Sequence, residues 1–273
     1  WPMLGGVCLN VGCIPSKALL HTAQVIDGAH EMAEHGVSFG EPEIDLDALR
    51  GWKDKVVGRL TKGLAGLAQQ RKLEVLHGTG TFTSPHTVRI ETPDGGSQTV
   101  RFSHAIIAAG SEATQIPVFP NDDERLIDST GALTLADIPA RMLVIGGGII
   151  GLEMATVYAA LGTRITVVEL LDGLMPGCDP DLVRPLLKRI RGRYENIYLG
   201  TKVTAITCGV SGLKVDFEGK DAPEQDTFDK VLVAVGRRPN GHRVGAQAAG
   251  VNVDEAGFIN VDRRQRTNVE HIY

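Results

Sequence analysis

The sequence of 273 residues predicts an α/β fold of two related halves, the first incomplete, each joining parallel strands to an antiparallel β-meander. Three observations point there. An apolar strand at 141–145 runs straight into a glycine-rich turn, an apolar helix and a second strand. Two separate meanders each lead into a short apolar run that stops at glycine, once at Gly110 and once at Gly236. Ahead of both lies a pair of long helical patterns, introduced by two closely spaced cysteines.

The opening stretch reads Gly5-Gly6-Val7-Cys8-Leu9-Asn10-Val11-Gly12-Cys13-Ile14-Pro15-Ser16-Lys17. Gly5 and Gly6 supply backbone that can pass close to a bulky ligand. Pro15 suits the first turn of a helix, where its missing N–H removes a donor that has no partner anyway. Cys13 is thereby expected near the positive end of a helix dipole, which favours thiolate over thiol. A Cys-x4-Cys pair on its own reads more readily as a structural staple or as core thiols. A chain of this length builds a core without staples, however, and it holds only four cysteines, so the pair is a candidate redox dithiol. Cys178, Cys208 and the scattered histidines offer no metal-ligand spacing, so no metal is expected.

From Lys17 onward, Leu19, Ala23, Ile26 and Ala33 recur at helical spacing and predict a helix to about Glu34. Gly36 and Gly40-Glu41-Pro42 break it. A second long helix follows, whose stripe of Leu49, Trp52, Val56, Leu60, Leu64 and Leu67 is expected to face a core. The period then shortens. Runs at 73–76, 87–90 and 100–102, divided by Ser84-Pro85 and Pro93-Asp94-Gly95-Gly96, predict the first meander. It ends in His104–Gly110, expected to be a buried strand, and 116–128 is expected to be a surface connection.

Arg141–Ile145 opens the second half as a compact strand. Gly146-Gly147-Gly148-Ile149-Ile150-Gly151 follows at once, then an apolar helix closed by Gly162, then Ile165–Glu169. Gly-x-Gly-x-x-Gly alone is a weak signal. Between a strand and a helix, with Glu169 placed 18 residues after Gly151, it predicts a Rossmann-like dinucleotide-binding βαβ unit. Gly146 permits the tight turn, Gly148 lets a pyrophosphate approach the backbone, and Gly151 lets the helix pack on its strand. Glu169 can accept hydrogen bonds from adenine ribose hydroxyls. Its charge opposes a 2'-phosphate by about 4 kcal/mol at ~4 Å and an effective dielectric of ~20, which favours NAD over NADP. Asp179-Pro180 begins another helix that Pro185 should kink or shift. Strand-like runs at 196–199, 203–207, 213–217 and 230–236 complete the half.

With 33 acidic and 28 basic residues, a net charge of −5 and no basic cluster, nucleic acid is not the expected partner. No apolar run reaches the ~20 residues that span a bilayer, so no membrane association is expected either. Sparse cysteine use fits a reducing compartment, and a cytoplasmic location is the expectation.

The 5–17 segment resembles the active-disulfide signature of the flavin-dependent pyridine nucleotide-disulfide oxidoreductases, and within them the branch that oxidises dihydrolipoamide. The resemblance runs over nearly the whole chain. It implies two Rossmann-like FAD/NAD(P)-binding domains: 1–139 as a partial FAD-binding domain with the redox-active disulfide, 140–260 as the NAD-binding domain, and 261–273 as the start of the return into the first. The opening strand and glycine loop of the first domain are expected upstream of Trp1. By the same likeness Cys8 exchanges with a dithiol substrate, Cys13 contacts the flavin as thiolate, Lys17 lies beside the flavin ring, and Glu153 pairs with Lys17. FAD contacts are implied for Gly5, Gly6, Lys17, Gly80 within Gly78–Phe82, and Ala109-Gly110, where Ala109 stands in a position that is Thr in many relatives. NAD contacts are implied for Gly146, Gly147, Gly148, Ile149, Ile150, Gly151, Glu169, Val203, Ala234, Gly236 and Arg237. Val203 and Gly80 equally fit plain core and turn roles.

The implied substrate is dihydrolipoamide on the lipoyl domain of a 2-oxoacid dehydrogenase complex, the implied acceptor NAD+, and the implied assembly a homodimer. Members of the family draw their catalytic base, a histidine oriented by a glutamate, from a C-terminal interface domain. None of the eight histidines here matches that motif, so no base is assigned, and the chain alone is expected to be inactive. Two alternatives stand beside this one. Related reductases for glutathione or mercuric ion generally use NADPH, for which Glu169-Leu170-Leu171-Asp172 offers no basic site. A non-catalytic NAD-binding module would use the dithiol only as a redox sensor.

Overall fold

The structure is a computed structural model that describes residues 3–273; Trp1 and Pro2, the start of the first expected domain, lie outside the described residues. In chain order the elements are α1 (Gly6–Val11), α2 (Cys13–Glu31), α3 (Leu46–Gln70), β1 (Thr79–Ser84), β2 (Thr87–Glu91), β3 (Ser97–Arg101), β4 (Ser111–Ala113), β5 (Leu126–Ile127), α4 (Ser129–Thr134), β6 (Arg141–Ile145), α5 (Ile149–Ala160), β7 (Arg164–Val168), α6 (Pro180–Arg191), β8 (Asn196–Tyr198), β9 (Lys202–Gly209), β10 (Gly212–Glu218), β11 (Gln225–Phe228), β12 (Lys230–Val233) and β13 (Arg237–Pro239). Packing groups them into two units, one of residues 5–62 and 113–236, the other of residues 63–112 and 237–273 with the first described residues. This grouping follows contact rather than chain order, because α2 is packed along α5 far downstream.

In the first unit a five-stranded parallel sheet runs in the order β5-β12-β6-β7-β8. Successive side chains of a strand point to opposite faces, so each apolar strand feeds two cores. Met142, Val144, Ile165, Val167 and Leu232 face α5 and its neighbours, where Leu152, Ala155, Tyr158 and Leu19 of α2 are buried with them. Leu143, Ile145, Val168, Val231 and Val233 face the antiparallel meander β9-β10-β11 through Val203, Ile206, Leu213, Val215, Phe217 and Phe228. Each fully buried apolar side chain contributes about 1.5–3 kcal/mol, so this double-sided sheet dominates the unit's stability. Arg141 fastens the meander to it. Its guanidinium donates to both carboxylate oxygens of Asp226 at 2.8 and 2.9 Å, to Glu195 at 3.0 Å and to Thr227 O at 2.8 Å, and lies 4.9 Å from the Phe228 ring centre. On the other face α2 is tied to α6 by Glu31 with Arg189, and to the turn just after α6 by Asp27 with Arg193.

The second unit contains the meander β1-β2-β3, over which Phe82 packs with Ala246, Ala249, Val251 and Ile272. His271 Nε2 donates to Pro85 O (2.8 Å), and the ring stacks on His86 with ring centres 4.2 Å apart.

The expected α/β architecture and both meanders are present, and several details differ. Residues 73–76 are not a strand; β1 starts at Thr79. His104–Gly110 is not a buried strand: Ala105 makes one parallel bridge to Ile272, and Ile106 is 82% exposed because that single neighbour covers only one side. Of the stripe on α3, Leu49 packs against the helix-side core, and most of the rest does not. Trp52, Leu60, Leu64 and Leu67 are exposed, while Lys53 and Thr61 are buried, with Lys53 Nζ donating to Leu133 O at 2.7 Å. α6 runs through Pro185 without a break, since the proline frees one carbonyl on an exposed stretch where water can take it. α4 and β11 carry no strong periodicity and were absent from the sequence-based expectation.

Gly151 sets how closely α5 can lie on β6, because a Cβ there would overlap Gly146 O and reach Val144 Cγ1 at 3.1 Å. Gly151→Ala is therefore expected to lower unfolding free energy by about 2 kcal/mol. Chemical denaturation checks it: the midpoint should fall while the slope is kept.

Candidate functional site

The two cysteines flank a break between helices. α1 ends at Val11, Gly12 takes φ −144° and ψ −117°, and Cys13 is the first residue of α2. A Cβ on Gly12 would stand 2.9 Å from Val7 O and 3.1 Å from Cys8 Cα, so α1 and α2 meet there at bare backbone. That contact brings Cys13 against the turn that carries Cys8. Both thiols are free and exposed, and they hydrogen-bond to each other. Pro15 sits buried in the first turn of α2 as expected, and Ser16 Oγ donates to Cys13 O at 3.1 Å.

The hydrogen bond from Cys8 holds the Cys13 thiol above its usual pKa, helped by burial and by the charge of Cys8, against the opposing pull of the local backbone and Lys17. The expected thiolate at the helix N-terminus is thus corrected for the two-thiol state. A neighbouring thiol at hydrogen-bond range outweighs a helix of ordinary length and an exposed ammonium.

Lys17 lies one turn beyond Cys13 on α2, so both share one helix face. Its Nζ donates to Glu153 Oε1 of α5 at 2.5 Å, with side chains 61% and 20% exposed. An ion pair this open is worth at most about 1 kcal/mol to stability, so its consequence is to fix where the ammonium stands. An exposed thiol and an exposed ammonium on one face suit a flat redox group that accepts electrons and gains negative charge.

The glycine turn lies at the carboxyl ends of β6 and β12, the strands between which the chain order of the sheet switches. Gly146 has φ +109°, and a Cβ on it would overlap Ala234 O. Gly148 is different: a Cβ there meets nothing within 4 Å. Since α5 has no side-chain cap, the amides of its first turn face that open space, and they fit a pyrophosphate. Ile149 is exposed and Ile150 half-buried beside it. Glu169 is 8% exposed, its Oε2 accepting from Gly147 N at 2.7 Å and its Oε1 from Leu171 N at 2.9 Å. Each oxygen keeps a second lone pair for a ribose hydroxyl.

Cys8, Cys13, Lys17 and Glu153 therefore fall in one unit with Gly5, Gly6, the 146–151 turn, Glu169, Val203, Ala234 and Gly236. Gly80, Ala109, Gly110 and Arg237 fall in the other. There, Arg237 donates to Ser111 Oγ at 2.8 Å and Ser111 O at 2.6 Å. Val203 is buried in the apolar cluster between the sheets. Sequence reasoning did not single out Asn240, whose side chain donates to Ala109 O at 3.0 Å and whose amide donates to Gly110 O at 3.0 Å. It also passed over Met175, whose amide donates to Gly147 O at 2.9 Å. Both act on distant backbone atoms, for which a linear motif carries no signal.

The profile of the pyridine nucleotide-disulphide oxidoreductase family matches residues 3–273. The chain belongs to that family. FAD and a nicotinamide dinucleotide are the cofactors of these oxidoreductases. Similar curated proteins include dihydrolipoyl dehydrogenase of Vibrio cholerae, 53% identical over 271 residues, and that of Haemophilus influenzae, 51% identical over 270 residues. Both matches take in 99% of this chain, and 57% and 56% of those proteins. Among solved structures, the Cu(II) complex of the HOCl-induced flavoprotein disulfide reductase RclA from Escherichia coli superposes with a TM-score of 0.85 at 28% identity, covering 100% of this chain and 57% of that one. The chain thus spans about half the length of the relatives it matches. No helix among the described residues is long and apolar enough to cross a membrane.

The Cys8–Cys13 hydrogen bond makes a pH prediction. Raised pKa means a protonated Cys13 over more of the pH range, so Cys8→Ala, which removes the bond, should move the onset of Cys13 alkylation to lower pH. Rates of iodoacetamide labelling against pH measure it; an onset that stays or moves upward contradicts the assigned cause.

Proposed function

We propose that the full-length protein is an NAD-dependent dihydrolipoyl dehydrogenase. The observation that carries it is the mutually hydrogen-bonded Cys8–Cys13 pair one turn from the Lys17–Glu153 pair, in a chain about half identical to dihydrolipoyl dehydrogenases. In the oxidised state these cysteines form a disulfide. A dihydrolipoamide thiolate attacks Cys8 to form a mixed disulfide and releases Cys13 as thiolate; the second substrate thiol then displaces Cys8, leaving lipoamide as the cyclic disulfide and both cysteines reduced. Bound FAD would supply the two-electron carrier between the dithiol and NAD+. The net change is dihydrolipoamide and NAD+ to lipoamide, NADH and a proton.

Lys17 would hold positive charge beside the flavin, with Glu153 setting its position. Gly5, Gly6, Lys17, Gly80, Ala109 and Gly110 would contact FAD, and the 146–151 turn, Glu169, Val203, Ala234, Gly236 and Arg237 would contact NAD. In this reading 1–139 with 261–273 belong to the FAD domain and 140–260 to the NAD domain. The full-length protein would work as a homodimer in the cytoplasm, serving the lipoyl domain of a 2-oxoacid dehydrogenase complex. The carboxylate of Glu169 supports NAD over NADP, which disfavours the NADPH-dependent glutathione and mercuric reductases.

Anaerobic spectroscopy of the full-length protein tests the assignment. Dihydrolipoamide should bleach the flavin absorbance and NAD+ restore it, with NADP+ much less effective; absence of bleaching rejects the substrate. Lys17→Met and Glu153→Gln should each slow flavin reduction by dihydrolipoamide about tenfold, the scale of one partly exposed charge near the reacting group. Stopped-flow absorbance reads this, and an unchanged rate removes the ion pair from the mechanism.

A further inference from the structure

The dinucleotide motif requires glycine at 146, 148 and 151, and leaves 147 free. The residue at 147 is nevertheless glycine, and its surroundings show what it serves. A Cβ on Gly147 would overlap Leu174 Cδ2 and stand 3.2 Å from both Glu169 Cβ and Glu169 Oε2. Its N–H donates to Glu169 at 2.7 Å, and its carbonyl accepts from Met175 N at 2.9 Å. Both backbone groups and the α-carbon of this one residue are therefore taken up by the segment from Glu169 to Met175. Leu174 is 4% exposed within the helix-side core, and Met175 holds φ +54°, an uphill conformation for a residue with a side chain. None of these contacts lies on the open side at Gly148 where a pyrophosphate fits.

We propose that Leu174 and Met175 are positioning residues for dinucleotide binding: the segment that follows β7 clasps Gly147 from behind and presets the turn whose front face receives the pyrophosphate. Leu174 is the steric half of the clasp, and the amide of Met175 is the polar half. The preset turn binds without first having to be ordered, so loosening the clasp weakens binding although no ligand contact is lost. The proposal rests on the NAD-binding assignment above.

The test uses the full-length holoenzyme in four forms: unaltered, Gly147→Ala, Leu174→Ala and the double variant. NADH affinity is measured by calorimetry, and amide exchange at Gly147 and Met175 is followed in the absence of dinucleotide. Gly147→Ala should weaken NADH binding about tenfold, and the double variant should recover most of that loss, since contacting residues are coupled rather than additive. Leu174→Ala alone should weaken NADH binding severalfold and speed exchange at both amides, while flavin bleaching by dihydrolipoamide, which uses Cys8 and Cys13, keeps its rate. A merely structural role for Leu174 would move the bleaching rate and NADH affinity together. Additive losses in the double variant overturn the proposal, as does unaltered affinity in Gly147→Ala. Should Gly147→Ala fail to fold, Leu174→Ala decides by itself: unchanged exchange or unchanged NADH affinity overturns the proposal. An unaltered protein that bleaches with dihydrolipoamide yet binds no NADH overturns the NAD assignment itself, and the clasp with it.

Discussion

Bare backbone at Gly146 and Gly151 is the constraint on which the larger unit depends. A side chain at either position would occupy space already filled by a carbonyl, of Ala234 in one case and of Gly146 in the other. Because α5 can settle so low on β6, its apolar residues reach both the sheet and the neighbours on its far side, and α2 packs there through Leu19. The position of α2 in turn fixes Lys17 against Glu153 and carries Cys13 at its first turn. Two sites separated by well over a hundred residues of chain are joined through one helix.

The parallel sheet makes that joining rigid. Its strands are buried on both faces, so a shift by one residue would force both cores to repack at once. The polar contacts around Arg141 act at the amino-terminal end of the central strand, where a shared guanidinium links β6, the approach to β8, and β11. Arg141 holds the Asp226 carboxyl below its usual pKa, so this link persists through mildly acidic conditions. Sign follows from the direction: a depressed carboxyl pKa contributes stability above the unfolded value and loses it as pH falls through the folded one.

Much of this was legible in the sequence where the signal was local. The 141–169 unit was readable because strand, glycine turn, helix and acid follow one another without interruption, and the dithiol because Cys8, Cys13 and Pro15 fall within eight residues of one another. Legibility failed where tertiary context decides. The stripe on α3 has good helical spacing, yet the buried positions there include Lys53, which donates to Leu133 O, and Thr61, whose hydroxyl is satisfied within its own helix by Gly58 O. Ala105–Ile107 has the composition of a central strand, yet among the described residues it pairs along one side, with 271–273. The ionisation of Cys13 was misjudged for a similar reason. A helix terminus can be read from sequence, while a thiol hydrogen bond across a helix break requires coordinates.

Glu169 has a consequence for attempts to redesign coenzyme preference. The usual strategy exchanges the acid at the end of the second strand for a neutral or basic residue to admit an extra phosphate. Here that carboxylate also braces two main-chain amides, at Gly147 and Leu171. Removing it would strip two main-chain donors of their acceptor, the one at Gly147 buried, while changing the charge. A redesign would need a replacement acceptor built in at the same time, and single-site swaps should be judged first by whether the turn keeps its shape.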